Sequence, residues 1–171
     1  VKTVLETPLL EDLPKGFMST QKGPRSFNWR SDKPASLYYV VALDGGNPAL
    51  KTAYRDEVFE WEAPFNAAPK SILKTINRFS GIQWGNDQIA VAYDNWWNTR
   101  NTKSYLFNPS DSSVSPKVIS DRNYQDQYSD PGSFVTERNN MGASVLAIRD
   151  NNLYLTGDGF SEKGQFPFVD V

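Results

Sequence analysis

Two tryptophans stand side by side in Asn95-Trp96-Trp97-Asn98-Thr99-Arg100. Adjacent indoles flanked by amides, a hydroxyl and a guanidinium could form a stacking platform for a glycan or a peptide. Consecutive strand residues point to opposite faces, so the plainer reading puts one indole in the core and the other on a hairpin or interdomain surface. Arg122 and Arg138 offer a second chemistry, since a planar guanidinium fork fits a carboxylate and could hold an acidic substrate side chain. A surface ion pair is the plainer alternative for both. Asp121, Asp126 and Asp130 fall in one long expected loop, and hard cations such as calcium take carboxylate oxygens. Their spacing matches no EF-hand loop, and a solvated acidic loop accounts for them, so no metal site is assigned.

What the chain lacks restricts its chemistry further. It contains no histidine and no cysteine. Histidine is the usual general base near neutral pH and the commonest transition-metal ligand, so Ser-His-Asp and Cys-His catalysis and most zinc, copper and non-haem iron sites are excluded. A carboxylate pair of the glycosidase kind needs only Asp and Glu, but the acidic residues are scattered and a surface role explains each. No catalytic residue and no cofactor is assigned. The formal net charge of −2 gives no basic field to steer nucleic acid or an anionic membrane. The longest apolar runs, such as Leu37 to Leu43 and Ile89 to Tyr93, fall far short of the roughly 20 residues of a membrane-spanning helix. Val1 is not an initiator methionine and no signal-peptide pattern follows it, so the chain is expected to be a processed product or part of something longer.

The elements that must carry these side chains read as strands. Phe27–Arg30, Leu37–Leu43, Glu57–Trp61, Ser71–Ile76, Gly81–Trp84, Gln88–Tyr93, Lys103–Phe107, Lys117–Ser120, Ser144–Arg149 and Asn152–Thr156 are short and rich in β-branched or aromatic residues. Turn formers separate them, among them Asp44-Gly45-Gly46-Asn47-Pro48, Gly85-Asn86-Asp87 and Asn108-Pro109-Ser110-Asp111. No long amphipathic helical pattern is present, and the class is all-β. A motif recurs: Ser26-Phe27-Asn28-Trp29, then Asp32 and a strand; Gly81-Ile82-Gln83-Trp84, then Asp87 and a strand; and a fainter copy over 143–156. Trp29 and Trp84 are 55 residues apart, close to the roughly 40 to 50 residues of a four-stranded propeller blade. A Trp at a strand end would fill the wedge between two blades, and the following Asp would take a neighbouring backbone N–H in the turn. The expected architecture is a partial β-propeller of about two complete four-stranded antiparallel blades, 26–76 and 79–120. Residues 1–22 would end a preceding blade and 141–171 would start a truncated one. Exposed blade faces would favour dimerisation in isolation.

These residues carry a resemblance. Glu11-Asp12-Leu13-Pro14-Lys15-Gly16-Phe17, Gly23-Pro24-Arg25-Ser26, Asn28-Trp29-Arg30, Asp32-Lys33-Pro34-Ala35, Leu37-Tyr38 and Ala42-Leu43-Asp44-Gly45-Gly46 resemble the amino-terminal β-propeller of the prolyl oligopeptidase family of serine peptidases, in its glutamyl endopeptidase-like branch. The similarity continues through Arg78-Phe79-Ser80-Gly81-Ile82-Gln83-Trp84-Gly85, Thr99-Arg100-Asn101-Thr102, Asp121-Arg122, Asp130-Pro131-Gly132 and Met141-Gly142. The resemblance implies a parent enzyme whose carboxy-terminal α/β-hydrolase domain holds a Ser-Asp-His triad, with the serine in a G-x-S-x-G turn. That domain is absent from this sequence, so no catalytic position carries over. In the family the propeller caps the active site and restricts access to peptides. The chain is therefore expected to be a non-catalytic, substrate-gating portion whose partners are peptide substrates and the hydrolase domain. The alternative is a stand-alone propeller that binds glycan or protein partners. Bacterial relatives favour an exported or periplasmic location.

Overall fold

The structure is a computed structural model that describes residues 3 and 5–171. Two four-stranded antiparallel sheets dominate it. The first contains β1 (Arg25–Trp29), β2 (Ser36–Ala42), β3 (Asp56–Glu62) and β4 (Lys70–Thr75), hydrogen-bonded in sequence order. The second contains β5 (Arg78–Trp84), β6 (Ala90–Trp96), β7 (Asn101–Phe107) and β8 (Lys117–Asn123), also in order. Such meanders follow from β-rich runs joined in sequence order by connections that run from the four residues 97–100 to the longer loop 43–55. The only helical elements among the described residues are two 3₁₀ turns, Leu10–Asp12 and Trp97–Thr99.

The sheets stack face to face. Val40, Val58, Ile72 and Leu73 of the first meet Trp84, Ala90, Ala92, Tyr105 and Phe107 of the second, all of them buried. The alanines let the second sheet approach closely, and Trp84 fills the remaining gap at one end. Its ring lies 5.4 Å from Tyr38 and 6.5 Å from Phe107, with the Arg30 guanidinium 4.2 Å over it. The Trp84 indole N–H finds no hydrogen-bond acceptor among the described residues.

At the opposite end an ionic cluster joins the sheets. Arg78, the first residue of β5, reaches Asp56 at 3.1 Å and Asp44 at 2.8 Å. Asp56 also binds Arg25 at 2.5 Å and accepts the Phe79 N–H at 2.8 Å, while Asp44 binds Arg55 at 2.7 Å. Both carboxylates are buried, so these contacts fix one sheet against the other where little water competes.

The turn Asp32 and Asp87 were expected to supply is made differently. Asp32 accepts from the Arg30 guanidinium at 2.7 and 3.1 Å, and in the second copy it is Asn86 that accepts the Gln88 and Ile89 backbone N–H groups. A charged neighbour outcompetes the backbone for Asp32 because two charge-assisted bonds are stronger than one neutral one.

Residues 1, 2 and 4 of the expected preceding-blade segment 1–22 lie outside the described residues, and the rest of that segment forms no strand. Pro8 and Pro14 withhold backbone donors from any ladder there. The segment instead ties to the sheet junction through Thr20 N–H to Gly46 O at 3.0 Å and Arg78 Nε to Met18 O at 2.9 Å. Gly46 sits at φ +77°, and a Cβ there would come within 1.8 Å of Thr20 O, so the close approach requires glycine.

After Asn123 the chain forms short strands: β9 (Ser133–Phe134), β10 (Thr136–Arg138), β11 (Ser144–Leu146), β12 (Ile148–Arg149), β13 (Asn152–Leu153), β14 (Leu155–Gly157), β15 (Phe160–Ser161), β16 (Gly164–Gln165) and β17 (Phe168–Asp170). They pair as β10-β11, β12-β13, β15-β16 and the three-stranded β17-β14-β9. Strand structure thus resumes at Ser133, upstream of the Ser144–Arg149 strand read from the sequence.

Candidate functional site

The end of the second sheet that carries Trp96 has the most distinctive surface. β6 ends at Trp96, and the next three residues form the 3₁₀ turn Trp97–Thr99, closed by Arg100 at φ +56°. The turn separates the two indoles. Trp96 is half-buried beneath the Arg55 guanidinium, 3.7 Å from its ring centroid, and Arg55 is also held by Asp44. Trp97 is 41% exposed, with Phe17 stacked on it at 4.5 Å and the Arg100 guanidinium 3.8 Å over its ring. Each indole is therefore paired with an arginine, an arrangement favoured by the ring quadrupole. Met18, Asn95, Trp97, Thr102 and Tyr124 line an open hollow of about 310 Å³ beside this stack.

Phe17, Arg55 and Arg100 were not among the site residues read from the sequence. Arg100 had a legible signal, because it lies three residues after Trp97 and i and i+3 eclipse in a 3₁₀ turn. Phe17 and Arg55 had none, since they arrive from distant segments.

Arg122, in β8, pairs with Thr102 across the ladder and so lies near the Trp97 hollow. It is already engaged: it binds the Asp130 carboxylate at 2.9 Å and donates to the Asp126 carbonyl at 2.8 Å. Arg138 lies in β10, which pairs with β11 and is not a strand of this sheet, and donates to Gly142 O. The structure does not bring the two arginines together. The three aspartates expected in one loop do not share it: Asp121 lies in β8, opposite Lys103, and binds Lys103 and Asn101, while in the segment that follows Asp126 accepts the Tyr128 N–H and Asp130 holds Arg122. Among the described residues no group of three or more carboxylates converges on a point where a metal ion could sit.

A further carboxylate, Asp94, is fully buried on β6. Burial pushes its carboxyl above the usual carboxylate range, opposed by hydrogen bonds from Tyr105 Oη at 2.6 Å, Asn77 N–H at 2.8 Å, and Asn77 Nδ2 and Lys103 N–H at 3.1 Å. With all four donors inside the fold, Asp94 ties β6 to β7 and to the Asn77 turn that leads into β5, and has no access to a substrate. The site as a whole can stack apolar or planar groups and attract an anion, but it offers no exposed general base.

Burial also sets an alkaline limit on the fold. It raises the Tyr38, Tyr39 and Tyr105 hydroxyls above their ordinary value of 10.0 and pushes Tyr93 up to about 12. A phenol whose folded value lies above its unfolded one contributes stability that is complete below the unfolded value and is lost as pH rises through the folded value. The urea midpoint should therefore hold up to pH 10.0 and fall toward pH 12. Absorbance at 295 nm should show phenol ionisation continuing well above pH 10.0 in the folded protein, and a tyrosine titration already complete near pH 10.0 would contradict this.

Fold and surface together define an all-β chain of repeated antiparallel meanders with a cationic aromatic end. Over all of its length it is homologous to a segment of two plant proteins, each named "Probable glutamyl endopeptidase, chloroplastic". It is 38% identical to the one from Oryza sativa subsp. japonica over 178 residues and 36% identical to the one from Arabidopsis thaliana over 179 residues. The chain spans 19% and 18% of those relatives' lengths, respectively. No family model and no solved structure matches it.

Proposed function

We propose that the chain is the non-catalytic, substrate-gating β-propeller portion of a serine peptidase of the prolyl oligopeptidase family, with peptide hydrolysis performed by an α/β-hydrolase domain elsewhere in the polypeptide. The observation that carries this reading is the whole-length likeness to proteins named as glutamyl endopeptidases in a chain that has no histidine of its own. The stacked four-stranded meanders support it, since adjacent propeller blades pack in this way. A ring of such blades filters by pore width, so this part selects peptides and the hydrolase domain cleaves them.

A second reading, a stand-alone binding module, draws on the exposed Phe17–Trp97–Arg100 stack, which could engage a partner without any hydrolase domain. One experiment separates the two. The product of the full reading frame should react with a fluorophosphonate serine probe, and the 171-residue chain should not. A reading frame without a G-x-S-x-G segment and a later histidine, or labelling of the 171-residue chain itself, would remove the first reading.

A further inference from the structure

The two large sheets repeat at the level of individual residue pairs. Trp29 pairs with Leu37 as Trp84 pairs with Ala90. Leu37 pairs with Trp61 as Ala90 pairs with Phe107, and Tyr39 pairs with Phe59 as Ala92 pairs with Tyr105. The irregularities recur too. The register slips between Val58 and Phe59 and between Ser104 and Tyr105, placing one extra isoleucine, Ile72 or Ile119, on the fourth strand. Directly paired residues share a face of a sheet. Trp84, Ala90, Ala92, Tyr105 and Phe107 make up the face that the second sheet buries against the first. The corresponding face of the first sheet is Trp29, Leu37, Tyr39, Phe59 and Trp61.

We infer that this face is a docking surface for a further four-stranded sheet of the same polypeptide, packed on the first sheet as the first is packed on by the second. This deepens the propeller half of the reading above and is independent of its peptidase half.

The face is built for burial but not buried. Trp29 is 61% exposed, against 3% for Trp84. Phe27, Tyr39 and Phe59 stack across three strands at 4.8 and 5.4 Å, and Phe65 packs on both Trp29 and Trp61. Contiguous apolar surface of this kind marks an interaction site. The charged residues among the paired positions of this face are Glu57, opposite Val41 at its edge, and Lys74, which pairs with Glu57 and lies 3.7 Å from its carboxylate, so the two offset each other.

A second copy of this chain is the less suitable occupant. The surface that fits a Trp-bearing face is the one carrying Val40 and Val58, which the second sheet already covers. Its equivalent on the second sheet, around the fully buried Val91, meets the later strands across a groove lined by Leu106, Ile119, Phe134 and Leu155. The docking sheet must therefore come from elsewhere in the polypeptide. Where the second sheet has Ala90 and Ala92 at its centre, the first has Leu37 and Tyr39, so the incoming sheet should present smaller side chains than Val40 and Val58.

The test compares the 171-residue chain with the product of its full reading frame. Under matched hydroxyl-radical dose, Trp29 oxidation should be roughly tenfold slower in the longer protein, as expected on passing from an exposed to a protected site. With Trp29→p-benzoylphenylalanine, irradiation of the longer protein should give an intramolecular cross-link to a strand of another four-stranded sheet. Trp29→Lys should leave the melting temperature of the 171-residue chain unchanged and lower that of the longer protein. Equal Trp29 oxidation in both proteins, a cross-link to a second molecule or to a hydrolase domain, or a Trp29→Lys-sensitive dimer of the 171-residue chain would each overturn the inference. A longer protein that labels with fluorophosphonate yet leaves Trp29 exposed would overturn the docking surface alone, and a protected Trp29 in a protein that does not label would overturn the peptidase reading alone.

Discussion

Replacing Asp56 with alanine should lower the stability of the chain by about 3–5 kcal/mol, the cost of breaking a buried ion pair by removing one partner. Asp56 is fully buried, and three groups depend on it: the Arg25 guanidinium at 2.5 Å, the Arg78 guanidinium at 3.1 Å and the Phe79 N–H at 2.8 Å. Truncation leaves two guanidiniums facing a cavity, and Asp44, already shared by Arg55 and Arg78, cannot compensate for both. A loss of this size is a large share of the roughly 5–15 kcal/mol that holds a domain folded. The urea midpoint followed by circular dichroism is the measurement. Glu137→Gln is the comparison, because the Glu137–Arg149 pair is exposed and solvent-screened and should leave the midpoint unmoved. An Asp56→Ala protein as stable as Glu137→Gln would mean that the ionic cluster does not join the sheets.

The Asp56 cluster also shows where sequence reading stops. Strand positions were legible because period-2 apolar runs and Gly, Pro and Asn turns are local signals: Leu37–Leu43 was read where β2 covers Ser36–Ala42, and Lys103–Phe107 where β7 covers Asn101–Phe107. The Trp29–Trp84 echo was legible for the same reason, and the two residues occupy matching ends of β1 and β5. Arg25, Asp44, the adjacent Arg55 and Asp56, and Arg78 come from four separate places, and nothing local distinguishes them from solvated surface charges. Strands β9 and β10 were missed because Ser133-Phe134 and Thr136-Glu137-Arg138 are too short and polar to show alternation. At the candidate site, Trp97 was legible as a residue, but its stack with Phe17 depends on a tertiary contact across 80 positions.

The second large effect falls on Trp84. Trp84→Ala should cost about 3–5 kcal/mol, the range for truncating a large buried aromatic whose cavity cannot fully collapse. The cavity here is bounded by Tyr38 and Phe107 and by the Arg30 guanidinium, which Asp32 and Glu60 already hold at 2.7 and 2.6 Å, so the walls are constrained from moving in. Trp29→Ala, at the equivalent end of the first sheet, removes the same side chain from a 61% exposed position and should cost no more than about 0.5 kcal/mol in the 171-residue chain, as is usual for surface substitutions. Trp84→Phe should fall between them. It keeps a ring against Tyr38 but loses indole volume, while removing a buried N–H that has no acceptor, a change that partly offsets the loss. Equilibrium urea unfolding followed by far-ultraviolet circular dichroism avoids reading the altered fluorescence. The expected order of destabilisation is Trp29→Ala, then Trp84→Phe, then Trp84→Ala. Equal costs at positions 29 and 84 would show that burial by a neighbouring sheet, present for one tryptophan and absent for the other, is not what gives these residues their weight.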